Sequence, residues 1–195
     1  MYANNITVIN EDIMKCDLEA LTREHFGGMK KLVCANLPYY ITTPIVAHLL
    51  ESKCFDAVTV MMQKEVAARL SSAPGCSDYG AFTVFVNYYA EVEILFEVPR
   101  GCFVPEPKVD SAVVRLNVRK NPIIVPRDEA LFFRVVRASF AQRRKLLANG
   151  LAAVFGAQIP KERINEILNG LEMPSNVRGE TLSIAQFCAI ADAFY

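Results

Sequence analysis

Asn36-Leu37-Pro38-Tyr39 is the segment whose residue types and order carry chemistry. It follows an apolar β-branched run, Lys31 to Ala35, and precedes a helical stretch, so it stands at the carboxyl end of a strand, where α/β sheets place ligands. An exocyclic adenine amine is a poor nucleophile because its lone pair is delocalised into the ring. Two acceptors at its hydrogens, the Asn36 side-chain oxygen and the Leu37 carbonyl, favour a pyramidal nitrogen whose lone pair points at an electrophilic methyl donor. No side-chain base is then required. Pro38 stiffens the turn, and Tyr39 offers a flat face on which an extruded base can stack. The same four residues also serve as an ordinary strand-to-loop turn, so the motif alone leaves both readings open.

The elements that must position this loop are read from periodicity. Ile6 to Ile9, Lys31 to Ala35 and Asp56 to Gln63 read as strands, alternating with helices over Leu18 to Phe26, Thr43 to Glu51 and Lys64 to Ser72. Such alternation predicts a parallel α/β sheet. After the turn-rich Ala73 to Ser77, Tyr79 to Tyr89 fits helix and strand equally. Val92 to Val98 and Ser111 to Val118 alternate as strands and predict an antiparallel edge. Pro99 to Lys108, with three prolines and Gly101, must be an irregular excursion from the sheet. Beyond Asn121-Pro122 and Pro126 the pattern is helical: Asp128 to Ala141, Arg143 to Phe155, Lys161 to Leu168 and Ser183 to Ala193, with Ser183 an N-cap. The expected division is an α/β domain over 1–122 and a small all-helical domain over 123–195.

With 52% hydrophobic residues in a 195-residue chain, a sizeable core can be buried. The apolar runs Ala81 to Ala90 and Val92 to Val98 are interrupted by Asn87, Glu91, Glu93 and Glu97, so none reaches the roughly 20 residues of a membrane span. Tyr2 to Asn5 has no secretory character, and a cytoplasmic protein without membrane association is expected. Cys16, Cys34, Cys54, Cys76, Cys102 and Cys188 form no C-x-x-C pair, and His25 and His48 do not extend them into a zinc pattern. Reduced, mostly buried thiols and no metal site are expected, with His48 structural. Net charge is zero, but Arg100 to Lys145 holds eleven Lys or Arg against four acids, while the first 28 residues are acidic. A polyanion suits the basic middle, and so does an ordinary solvated surface.

Five separated segments then match one family: Asn36 to Thr42, Met62 to Leu70, Tyr79-Gly80, Phe103 to Ser111 and Phe140 to Lys145. In order and spacing they resemble the ribosomal RNA adenine N6-dimethyltransferases, of which the erythromycin-resistance methyltransferases are close relatives. Arg143-Arg144-Lys145 and the long helical tail look more like the small-subunit dimethyladenosine transferase. The resemblance implies S-adenosylmethionine as co-substrate and dimethylation of adjacent adenines in a hairpin near the 3′ end of small-subunit rRNA, in the small ribosomal subunit or its precursor. By position it implies that Asn36, Leu37, Pro38 and Tyr39 bind the target adenine, with Phe103 sandwiching the base from its other face. Asp12 matches the acidic residue that meets the adenine amine of S-adenosylmethionine, with Asn36 also facing that co-substrate. Lys108, Arg143, Arg144 and Lys145 are the positions expected to touch RNA phosphates. Gln63, Lys64 and Glu65 match a signature read as structural.

The resemblance has a gap. The family's Gly-rich loop after its first strand and acidic residue after its second have no counterpart here, so residue 1 enters near the third family motif. A partial Rossmann-like methyltransferase sheet, its first strands missing and one edge exposed, is the expected fold, in a truncated chain. Two activities follow as alternatives: the S-adenosylmethionine-dependent enzyme, or a non-catalytic module that binds rRNA or pre-ribosomes. DNA adenine methylation shares the amine chemistry but explains the basic tail less well.

Overall fold

The computed structural model describes residues 6–195, so residues 1–5, on which the reading of no secretory start rested, lie outside the described part. Four strands form one sheet: β1 (Leu32–Asn36), β2 (Ala57–Gln63), β3 (Ala90–Val98) and β4 (Ser111–Val118). Their spatial order is β1-β2-β4-β3. β1 and β2 are parallel, with Leu32 opposite Ala57 and Asn36 opposite Met61. β4 runs antiparallel to both of its neighbours, Ser111 facing Gln63 on one side and Val98 on the other. Val58, Val60 and Met62 of β2 alternate into the core, each no more than 1% exposed.

Helices α1 (Leu18–Phe26), α2 (Thr42–Glu51), α3 (Lys64–Leu70) and α4 (Ala81–Tyr89) accompany the sheet, and α5 (Glu129–Ala141), α6 (Leu147–Phe155), α7 (Lys161–Gly170) and α8 (Ile184–Phe194) follow it. Their starts are written in the sequence. Asp17 accepts from the Ala20 amide, Asp128 from the Leu131 amide, and Ser183 with Gln186 closes a reciprocal cap on α8. A buried aromatic cluster joins the helical part to the sheet part: Tyr88 and Tyr89 of α4 pack on Phe132 and Phe133 of α5 with ring centroids 5.1 and 5.7 Å apart.

Three expectations need correction, and one open reading is resolved. Ile6 to Ile9 forms no strand; it makes no ladder, and Ile6, Val8 and Ile9 are 67%, 87% and 45% exposed, so it gains neither the hydrogen bonds nor the burial that sustain one. The helix expected from Arg143 begins at Leu147, because Gln142 to Lys145 make a turn closed by the Lys145 amide on the Gln142 carbonyl, 2.8 Å. Tyr79 to Tyr89 resolves as helix from Ala81, where the Gly80 amide donates to Thr83 Oγ1 at 3.2 Å and helps start the first turn. The cysteines are free, but only Cys188 is buried, while Cys34, Cys76 and Cys102 are exposed on edge or loop positions. Among the described residues no helix is long and apolar enough to cross a membrane.

Candidate functional site

β1 ends on Asn36 at the carboxyl end of the parallel pair. Leu37 turns inward, 9% exposed, and anchors the loop to the core. Pro38, extended at φ −60° and ψ 132°, presents its carbonyl to two donors: the Ile41 amide at 3.1 Å and Thr42 Oγ1 at 3.0 Å. Those bonds close a single 3-10 turn, Tyr39–Ile41, that runs directly into α2. The loop is thus tied at both ends to regular elements, and the Tyr39 hydroxyl is tied again, 2.6 Å from Ser111 Oγ at the start of β4.

The opposite wall comes from the β3–β4 connection. Because β4 is antiparallel to β2, this connection leaves the sheet at the same end as Asn36. Its base is fixed by Asp110, whose carboxylate accepts from the Arg100 amide at 2.9 Å and whose carbonyl accepts from the Lys64 amide at 3.0 Å. Phe103, Pro105 and Pro107 of this connection face Asn36, Leu37, Pro38 and Tyr39 across an open cleft of about 330 Å³, with Met61 of β2 completing it. That volume suits one flat heterocycle between an aromatic on each side. The Asn36 amide makes no hydrogen bond to another described residue and is exposed, so its carbonyl oxygen is available as an acceptor.

The other expected residues lie apart from this cleft. Asp12 is exposed and caps the 3-10 turn Ile13–Lys15, accepting from the Met14 amide at 3.0 Å. Ile13 of that turn packs on the core. Lys108 is exposed beside Lys64 and Arg100 in a shallow depression. There Lys64 is held above the usual lysine range by its hydrogen bond to Glu97 and the charge of that carboxylate. Gln63, Lys64 and Glu65 sit at the β2–α3 junction, with Glu65 paired to Arg69. Arg143 is committed within the chain: its guanidinium donates to the Ser77 and Tyr79 carbonyls and lies 3.5 Å from the Glu180 carboxylate. Arg144 and Lys145 are exposed and make no ion pair with a described residue. Sequence reasoning missed the parts played by Ser111 and Met61. The polar residue opening the run Ser111-Ala112-Val113-Val114, which is buried at that end of the strand, was the signal for Ser111, whereas Met61 carried none.

The profile of a family described as ribosomal RNA adenine dimethylase matches residues 2–193. A ribosomal RNA small subunit methyltransferase A from Lachnoclostridium phytofermentans is 47% identical over 190 residues, covering 97% of this chain and 66% of that protein. The protein of the same name from Caldanaerobacter subterraneus subsp. tengcongensis is 49% identical over 191 residues, covering 98% of this chain and 70% of that one. Among solved structures, a dimethyladenosine transferase from Plasmodium falciparum superposes with TM-score 0.77 at 25% identity, over 96% of this chain and 71% of that chain. The 23S rRNA methyltransferase ErmE shares the fold, with TM-score 0.61 at 24% identity over 97% and 72% of the two chains.

Proposed function

Since the chain belongs to the ribosomal RNA adenine dimethylase family, we propose that it serves S-adenosylmethionine-dependent N6-dimethylation of adjacent adenines in a hairpin near the 3′ end of small-subunit rRNA. The observation that carries this reading is the open cleft that Tyr39 and Phe103 both line together with Asn36. A base flipped out of its stack enters between the two rings, and stacking of this kind is worth about 1–3 kcal/mol per base. The Asn36 side-chain oxygen and the Leu37 carbonyl accept the two amine hydrogens and localise the nitrogen lone pair. Bound S-adenosylmethionine would supply an electrophilic methyl group to that nitrogen and leave as the neutral thioether, and the amine proton would pass to solvent. A second round on the same nitrogen gives the dimethyl product. Asp12 and Asn36 are the described residues assigned to S-adenosylmethionine, and the assignment fits an exposed carboxylate with one oxygen uncommitted.

Residues 123–195 and the turn before α6 are assigned to the RNA. Arg144, Lys145 and Lys108 are free to meet phosphates, while Arg143 acts by holding the turn in place. The expected partner is the small ribosomal subunit or its precursor, in the cytoplasm. Transfer of isotopically labelled methyl groups from S-adenosylmethionine to unmethylated small-subunit particles tests the reading. Asn36→Ala should lose transfer by about 10²–10³-fold while particle binding persists; unchanged turnover overturns the role of Asn36. Salt-sensitive particle binding with no transfer by the unsubstituted chain favours a non-catalytic rRNA-binding module instead.

A further inference from the structure

At the end of the sheet opposite Asn36 lies a larger cleft, of about 530 Å³, bounded by the segments that enter β1 and β2 and the segment that leaves β4. β2 is seven residues long, so the two clefts are separated by about 20 Å along the sheet. Lys31, Lys53, Arg119 and Lys120 line it, against a single carboxylate, Asp56. That carboxylate is already used, since it accepts from the Lys31 amide at 2.8 Å. Lys53 is partly neutralised by Glu129 at 3.2 Å, whereas Lys31, Arg119 and Lys120 make no ion pair with a described residue.

Arg119 is the most firmly placed of these cations. Its backbone amide donates to the Tyr89 carbonyl at 2.8 Å, which fixes the start of the side chain, yet its Nε is buried with no hydrogen-bond partner. Arg119 lines both this cleft and the neighbouring apolar cavity beside Tyr79 and Ile124, and a planar fork of donors is the group best matched to a phosphate. The cations come from three different connections rather than one, which spreads positive potential along the cleft instead of focusing it on a point.

We infer that this cleft is a second docking site for the phosphodiester backbone of RNA, used when a large RNA engages the Asn36 cleft at the other end of the sheet. The inference rests on RNA being the partner, as proposed above, and adds a contact surface to it. One RNA held at both ends of β2 has its register fixed relative to the adenine pocket, which is the usual office of phosphate contacts.

The test is fluorescence anisotropy of the intact chain with a labelled RNA comprising the 3′-terminal hairpins of small-subunit rRNA, repeated across a salt series. Loss of two phosphate contacts in Lys31→Gln/Lys120→Gln should make the fall of log affinity with log salt shallower by roughly two. Arg119→Gln, checked by circular dichroism for an intact fold, should remove about one further contact. Arg144→Gln/Lys145→Gln serves as the reference. A slope changed only by the reference pair overturns this site and leaves the RNA reading standing, and a slope changed by neither pair overturns both. Inorganic phosphate binding at the cleft with the RNA slope unchanged by Lys31→Gln/Lys120→Gln assigns it to a small anion and likewise overturns the inference.

Discussion

The Tyr39 and Ser111 hydroxyls meet at 2.6 Å, across 72 residues of sequence, with Ser111 fully buried at the first position of β4. One short bond therefore sets the ring on which a base would stack relative to the strand that carries the opposing wall. Ser111 is a positioning residue acting through Tyr39. Tyr39→Ala should weaken binding of an RNA carrying 2-aminopurine at the target adenine by about 1–3 kcal/mol, followed by the fluorophore's quenching. Ser111→Ala should cost less, Ser111→Thr should restore binding, and the double variant should be no worse than Tyr39→Ala alone. Additive losses would show that the two residues act separately.

Glu129 opens α5 and gathers Tyr89, Tyr88 and Lys53 around its carboxylate. Burial alone would raise its pKa, but the hydrogen bonds from Tyr89, Lys53 and Tyr88, together with the Lys53 charge, outweigh that and hold it below the usual carboxylate range. A depressed folded pKa gives stability that is complete above the unfolded value, about 4.3, and is lost as pH falls through the folded value. Tyr89→Phe should therefore cost about 1 kcal/mol at neutral pH, roughly 2–4 °C in Tm, the figure being discounted because the carboxylate is partly exposed. Glu129→Gln should lower Tm at pH 7 as well. Its deficit should shrink as calorimetric scans move below about pH 4.

The Tyr79 hydroxyl, buried between the two parts of the chain, donates to the Leu182 carbonyl at 2.8 Å, and burial pushes its pKa up to about 12. A raised folded pKa in a phenol gives stability present below the ordinary value near 10 and lost as pH rises through the folded value. Burial drives Tyr88 and Tyr89 higher still. Spectrophotometric titration should show three of the seven tyrosines ionising late, falling to two in Tyr79→Phe. That variant should also unfold at lower temperature, since the Leu182 carbonyl is left unpaired.

Gly179 sits where the turn before α8 crosses α5. A Cβ there would stand 2.5 Å from the Ser139 carbonyl oxygen and 2.9 Å from its Cβ, so backbone would have to move. Gly179→Ala should destabilise by about 1–3 kcal/mol in urea unfolding. A wild-type midpoint would show that the α5 contact yields more readily than this spacing implies.

Local signals in the sequence read well. A strand ending in Asn-Leu-Pro-Tyr and a proline-rich interruption between two alternating runs are decided by neighbours in the chain, and both loops stand where those signals put them. What failed depended on distant partners. Ile6 to Ile9 has the composition of a strand, but a strand exists only with a ladder to join. Arg143 to Lys145 continues the helical pattern on both sides, yet Leu146 offers no capping side chain and the three cations form a turn. Arg143 illustrates the limit for the site as well, because its acceptors at Ser77, Tyr79 and Glu180 lie dozens of residues away in both directions.

The reversed direction of β4 has a consequence for how such a protein can diversify. With β4 inserted head-to-tail between β2 and β3, the two loops that face each other are mounted on one hydrogen-bonded ladder, but only the first is continuous with the parallel strands. The second is a detachable arch, pinned at its feet by Arg100 and Asp110. Lengthening, shortening or re-sequencing the arch between those feet changes the shape of the space above Asn36 while the ladder beneath keeps its register. Selection can thus retune what fits against an unchanged reactive loop, as a tool changes its bit and keeps its chuck.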